Sequence, residues 1–309
     1  MNIDIKRTPA ILKKIKKNRQ IYFLLTFALA WYVMFAYIPM YGLTLAFKNY
    51  RAIDGIFGSR WVGMRVFEYV FRDPSFFQAV YRTFYINAGR LIFQFPVPII
   101  LALLLNELRI GRFKKILQSM FTFPHFLSWI IVSGIMINVL GHQGLVNSFV
   151  RLVGGESVSI LGNTSIFVPM LFLTENWKSA GWIAIIYMAS IAGIDQEQYE
   201  AAEIDGASRF QRALHITIPG IQMTATVMFI LAVGNLMNAG FDQIFNISNS
   251  ATAKVAETLD MYIYRITFQS SSDFSYSSAV SLFKSIVNFT LLLTADRVSK
   301  LLGGSGLFG

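Results

Sequence analysis

Long apolar runs recur along this chain, and no other feature constrains its fold as strongly. Six stretches, at about 21–44, 78–105, 117–140, 166–191, 221–240 and 278–296, are rich in Leu, Ile, Val and Phe. Each is long enough, or nearly so, to cross a hydrocarbon layer about 30 Å thick at a helical rise of about 1.5 Å per residue. Lipid offers no partner to a backbone N–H or C=O, so such segments must satisfy those groups internally and fold as helices. The expected class is therefore all-α integral membrane, with six transmembrane helices. Charged residues make up only 14% of the chain, against about 25% in soluble proteins. There is no cysteine, which excludes disulfides, thiol catalysis and cysteine metal sites. A net charge of +10 would suggest nucleic acid in a soluble protein. In a polytopic one it reads as bases retained on the cytoplasmic side.

The bases set the expected topology. Residues 1–20 interleave Lys6, Arg7, Lys13, Lys14, Lys16, Lys17 and Arg19 with Ile11, Leu12 and Ile15, the pattern of a basic amphipathic segment on the cytoplasmic membrane face. Ala28-Leu29-Ala30 resembles a signal cleavage site, but the apolar run continues to about Phe47, so the first span is expected to stay uncleaved. Further bases follow the second span (Arg109, Arg112, Lys114, Lys115), precede the fifth (Arg209, Arg212) and follow the sixth (Arg297, Lys300). This density predicts that the N-terminus and C-terminus are both cytoplasmic. Pro96 and Pro98 predict a kink in the second span, and Pro124 lies inside the third. Residues 45–76, Gly141–Gly162 and 241–277 are expected outside, the last with a re-entrant or surface helix near Val255–Tyr264. The domain reading is a basic segment over 1–20, a membrane domain over 21–302 and a flexible glycine-rich tail over 303–309.

Between the fourth and fifth spans, 192–220 forms a polar loop. It carries Asp195, Glu197, Glu200, Glu203 and Asp205 and closes at Pro219. Gln196 to Ile204 reads as a short helix that Gly206 stops, since glycine accepts positive φ. Ser208 is placed to cap a second helix. Glu200-Ala201-Ala202, Gly206, Ile216 and Pro219 fall on the pattern Glu-Ala-Ala, three residues, Gly, nine residues, Ile, one residue, Leu, Pro. Ile218 stands where the pattern has leucine. The stretch thus resembles the EAA signature of type I ABC importer permeases. The resemblance implies that the loop is a coupling loop, docking with Glu200, Ala201, Ala202, Asp205, Gly206, Ile216 and Pro219 into a separate ATPase.

The chain has no Gly-x-x-x-x-Gly-Lys-Ser/Thr phosphate loop, so energy from ATP would have to come from another subunit. The resemblance implies a non-catalytic permease in a bacterial inner membrane, without a cofactor of its own, ATP and Mg being bound by the ATPase. It further implies two ATPases, a second and unlike permease, and an extracytoplasmic binding protein. Tyr37-Ile38-Pro39-Met40-Tyr41-Gly42 and Phe123-Pro124-His125-Phe126-Leu127-Ser128-Trp129 are similar to segments of permeases for complex oligosaccharides.

Polar residues inside spans are costly and mark function by default. Glu175, Lys178 and Trp182 share one helical face and are candidates to line a substrate path, or to pair internally. Asn235, Asn238, Asp242 and Asn246 form a second face if the fifth helix continues, and their amides and carboxylate suit hydroxyl-rich ligands. An alternative is an ion-coupled transporter or channel that uses Glu175, Lys178 and Asp242 as relays. A membrane enzyme is disfavoured. The three histidines form no His-Glu-x-x-His motif, and there is no Gly-x-Ser-x-Gly elbow.

Overall fold

The structure is a computed structural model that describes residues 14, 17–108, 111–270, 272–301, 303, 304, 306 and 307. The basic segment expected over 1–20 lies almost wholly outside these residues, as do Arg109 and part of the 303–309 tail. Among the described residues, four helical stretches are long and apolar enough to cross a membrane: Arg19–Phe47, Pro74–Glu107, Trp129–Leu152 and Phe274–Leu301. Two bent pairs, Thr164–Ile191 with Gln196–Ile204 and Arg209–Gly220 with Gln222–Gly234, raise the number to as many as six, the number expected, when each pair is taken as one span.

The chain divides into two compact bodies. The first holds 1–69 and 273–282. In it α1 (Arg19–Tyr32) passes through a π-helical turn, Val33–Tyr37, into a 3-10 helix, Ile38–Phe47. The large apolar side chains of α1 are exposed, as suits a lipid-facing span. Two short antiparallel strands follow, β1 (Lys48–Asn49) and β2 (Arg60–Trp61).

The second body, 70–272 with 283–309, contains the rest. Asp73 caps α2 (Pro74–Phe93), and α3 (Pro96–Glu107) restarts at the proline, placing the predicted kink at Gln94–Phe95. A proline has no N–H to continue the ladder, and its ring obstructs the preceding turn. The same rule divides the expected third span. Residues 117–140 are two helices rather than one: α4 (Arg112–Thr122) and α5 (Trp129–Leu140), separated by a 3-10 turn at Phe123–Phe126 around Pro124. Ser128 restarts the chain by accepting a hydrogen bond from Ile131 N at 3.3 Å.

The segment expected as a loop over Gly141–Gly162 contains α6 (Leu145–Leu152). Buried Asn147 folds the rest of it back, donating to Gly141 O and Val158 O and accepting from Val158 N. The long helix α7 (Thr164–Ile191) is the central element of this body, packed along α3 and α4. Its approach to α4 is set by Gly181, where a Cβ would stand 2.0 Å from Phe121 O. Phe167, Met170 and Leu171 of α7 bury with Ile86, Val132 and Ile244, while Ala184, Tyr187 and Ile191 bury with Ala102 and Ile221.

Candidate functional site

The loop after α7 folds as its sequence predicts. Asp195 accepts from Glu197 N at 3.0 Å and caps α8 (Gln196–Ile204). The helix ends with Gly206 at φ +79°. Gly206 N bonds Glu203 O at 3.1 Å and Ala207 N bonds Ala202 O at 2.9 Å, the paired bonds of a Schellman turn. Ser208 and Gln211 form a reciprocal capping box that opens α9 (Arg209–Arg212). The chain then passes through Ala213–Thr217, which holds Ile216, and through Ile218–Gly220, which holds Pro219.

Side chains fasten the two helices together. Arg212 pairs with Glu203 at 2.8 Å, and Tyr199 Oη lies 2.9 Å from Thr217 Oγ1. Arg209 reaches Glu107 at 3.8 Å, placing the end of α3 beside the knuckle. Gly220 lies against Ile194, where a Cβ would meet Cδ1 at 2.5 Å. The helices leave their spans at bends of 78° and 62°. Two large apolar side chains have no cover: Ile204 is 87% exposed and Phe210 76%. Glu200 and Ala201 are exposed with them, and Ala202 is half-buried.

The second feature is a cavity of about 250 Å³ between α2, α3, α7 and α10 (Gln222–Gly234). Its wall changes character along its length. Pro98, Ile183, Tyr187 and Met228 make the end nearer the knuckle apolar. Asn87, Arg90, Glu175, Asn235 and Asn238 make the far end polar. Such a site offers donors and acceptors to a hydroxyl-bearing ligand over one part of its surface and an apolar face over the other.

Of the residues expected to line a path, Glu175, Asn235 and Asn238 meet in this cavity. Lys178, Trp182 and Asp242 are not in its wall. Lys178 is buried and donates to His125 O at 2.8 Å, with its ammonium 5.6 Å from the Trp129 ring centroid. Trp182 stacks on His125 at 4.8 Å, with the rings 2° from parallel. Glu175 accepts from Ser179 Oγ at 2.6 Å rather than pairing with Lys178. The shared face of Glu175, Lys178 and Trp182 is thus real on the helix, yet its members serve different neighbours.

The second predicted face does not form. α10 stops at Gly234, Asn235–Gly240 is irregular, and α11 (Phe241–Ile247) starts in a new direction after Gly240 at φ +74°. Spacings of three and four place residues on one face only while the helix is unbroken. Sequence reasoning also passed over Asn87, Arg90 and Gln94. They lie three and four apart in an apolar stretch, so the signal that singled out Glu175, an ionisable residue inside a span, was present at Arg90 too.

A family profile described as "Binding-protein-dependent transport system inner membrane component" matches residues 94–303. The chain belongs to this family. The matched region contains the knuckle and most of the cavity. Protein LplB of Bacillus subtilis (strain 168) is 39% identical to the permease over 295 residues, 95% of this chain and 92% of that protein. The polygalacturonan/rhamnogalacturonan transport system permease protein YteP of the same organism is 38% identical over 301 residues, 96% of this chain and 93% of that protein. A crystal structure of a bacterial ABC transporter involved in the import of the acidic polysaccharide alginate superposes with a TM-score of 0.86 at 31% identity, covering 95% of this chain and 99% of the other. The alginate transporter has also been solved in complex with an alginate pentasaccharide-bound periplasmic protein, with a TM-score of 0.85. The permease therefore has the type I ABC importer fold and is a multi-pass membrane protein.

Proposed function

We propose that this permease passes an oligosaccharide across the membrane, using ATP hydrolysed by separate subunits that grip its knuckle. The observation that carries this reading is the knuckle's form. It is a capped and clasped pair of short helices that presents Ile204 and Phe210 to solvent beside the Glu200-Ala201-Ala202 surface. Exposed apolar side chains on a rigid polar mount are what a docking surface needs. The knuckle's acids suit a partner with basic residues at the contact.

The termini lie on the knuckle's side of the membrane, as the distribution of bases implies. An unlike second permease completes the pathway, two ATPases bind ATP and Mg below it, and an extracytoplasmic protein delivers substrate. Glu175, Asn235 and Asn238 form this chain's polar contribution to the path. YteP is named for polygalacturonan and rhamnogalacturonan, and the alginate importer carries an acidic polysaccharide. The amides at the polar end of the cavity suit the hydroxyls of a saccharide cargo.

The test replaces Ile204 and Phe210 with aspartate in the full transporter. Both side chains stand in solvent, so the spans should insert and fold normally. The ATPase should no longer copurify, and uptake should cease. An ATPase that still copurifies in equal amount removes the knuckle as its docking site.

A further inference from the structure

α10 has 13 residues, a rise of roughly 20 Å, which is too short to cross a hydrocarbon layer of about 30 Å. The irregular segment Asn235–Gly240 therefore lies within the membrane's thickness. Irregular backbone is tolerated there only where the protein itself satisfies the freed groups or lines a cavity. The second body does both. Asn87 Nδ2 donates to Leu236 O at 2.6 Å, and Arg90 Nη1 donates to Ala239 O at 2.7 Å. From the opposite side, Asn288 Oδ1 accepts from Met237 N at 2.9 Å. Asp260, itself paired with Lys284, accepts from Ala239 N at 3.3 Å.

Arg90 also donates through Nη2 to Gln243 of α11, and Gln243 Nε2 continues to Leu171 O at 2.8 Å and Thr174 Oγ1 at 2.9 Å, one residue from Glu175. Nη1 also lies 3.5 Å from Asn87 Oδ1, and Nε is buried with no hydrogen-bond partner among the described residues. No carboxylate lies within ion-pair distance of Arg90 among the described residues. An intramembrane cation directed at a carbonyl and an amide, with Glu175 in the same cavity wall but beyond ion-pair distance, is costly as mere packing. Gly240 permits the approach: at φ +74° a Cβ would stand 3.1 Å from Arg90 Nη1.

We infer that Asn87 and Arg90 are positioning residues for translocation, pinning the broken helix so that Asn235 and Asn238 face the cavity. Asn238 Nδ2 bonds Asn235 Oδ1 at 2.8 Å, and Asn235 Nδ2 bonds Leu231 O at 2.9 Å, so the amide pair inherits its orientation from the break. Arginine suits this pin because its planar fork serves two acceptors at fixed angles. Through the pin, any displacement of α2 is felt at the amides that line the path. That these amides line a path rests on the function proposed above; the pin itself does not.

The test needs no substrate. In the assembled importer held in lipid nanodiscs, amide hydrogen exchange is followed at 235–240 and, for reference, along α7. Arg90→Gln and Asn87→Leu should each speed exchange at Met237 and Ala239 by roughly tenfold to a hundredfold, since a buried carbonyl loses its donor. Exchange in the α7 peptides should stay within about twofold. Arg90→Lys, with its charge but no fork, should fall between wild type and Arg90→Gln.

Should Arg90→Gln fail to assemble, Asn87→Leu removes the donor to Leu236 O without placing a new charge beside Arg90 and gives the same reading. The chain has no cysteine, so Asn238→Cys adds a second probe: its labelling rate by a membrane-impermeant maleimide should change at least about fivefold when Arg90→Gln is added. Unchanged exchange at 235–240 in both Arg90→Gln and Asn87→Leu overturns the pin, as does equal loosening of α7. Unaltered uptake with Asn235→Ala and Asn238→Ala would instead overturn the lining role and leave the pin standing.

Discussion

Gly206 offers the most quantitative test of the knuckle. Its φ of +79° lies in the left-handed region, and a Cβ added there would meet nothing within 4 Å. The effect of substitution is thus conformational rather than steric. A β-carbon in that region costs about 1–2 kcal/mol, or roughly a factor of 5–30 in the population of the turn. The Arg212–Glu203 bridge that clasps the helices has a Glu203 side chain 73% exposed, and such pairs contribute about 0–1 kcal/mol. The strain from alanine therefore exceeds what the clasp can restore.

Asparagine tolerates the left-handed region better than other non-glycine residues. Proline fixes φ near −65° and deletes the N–H that bonds Glu203 O. The expected order of ATPase affinity, measured by titrating purified ATPase onto the nanodisc-held permease, is Gly206, then Gly206→Asn within about threefold. Gly206→Ala should be weaker by about fivefold or more, and Gly206→Pro should bind at background level. Coupled uptake should follow the same order. Equal affinities for Gly206→Asn and Gly206→Ala, or a functional Gly206→Pro, would refute the claim that backbone handedness holds the knuckle in shape.

Two other sites give direct outcomes. Gly181→Ala places a Cβ 2.0 Å from a backbone oxygen of Phe121, so α4 and α7 must separate; a loss of about 1–3 kcal/mol should appear as a lower melting temperature in detergent. Glu175 lines the cavity whereas Asp242 does not, so Glu175→Gln should change the uptake KM by severalfold and Asp242→Asn should leave it near wild type. Equal effects of the two variants would show that the cavity does not mark the path.

The knuckle was legible because every instruction for it is local. An acid caps α8, a glycine reverses its end, and a serine and glutamine box opens α9, all within about twenty residues of chain. The six spans were legible for a similar reason, since burial in lipid is dictated by composition over a window. The divided third span was half-visible. Pro124 was noted inside it, but a proline can kink a helix or end it, and the choice depends on packing; here the chain turns at Phe123–Phe126 and restarts at Ser128.

The cavity wall was the least legible part. Lys178 has the spacing of a path residue, yet its ammonium is taken by His125 O, a carbonyl 53 residues earlier in the chain. The face of Asn235, Asn238 and Asp242 assumed a helix that ends at Gly234 and restarts only at Phe241. By itself, the sequence determined the class of the protein, most of its spans and the shape of the polar loop after α7, because those follow from apolar content and from bonds between residues a few positions apart. Tertiary structure alone decided which polar side chains share a space. Contacts such as Asn87 to Leu236 and Arg90 to Ala239 join residues 149 positions apart. No helical period relates residues so distant, and only the packed helices bring them to one place.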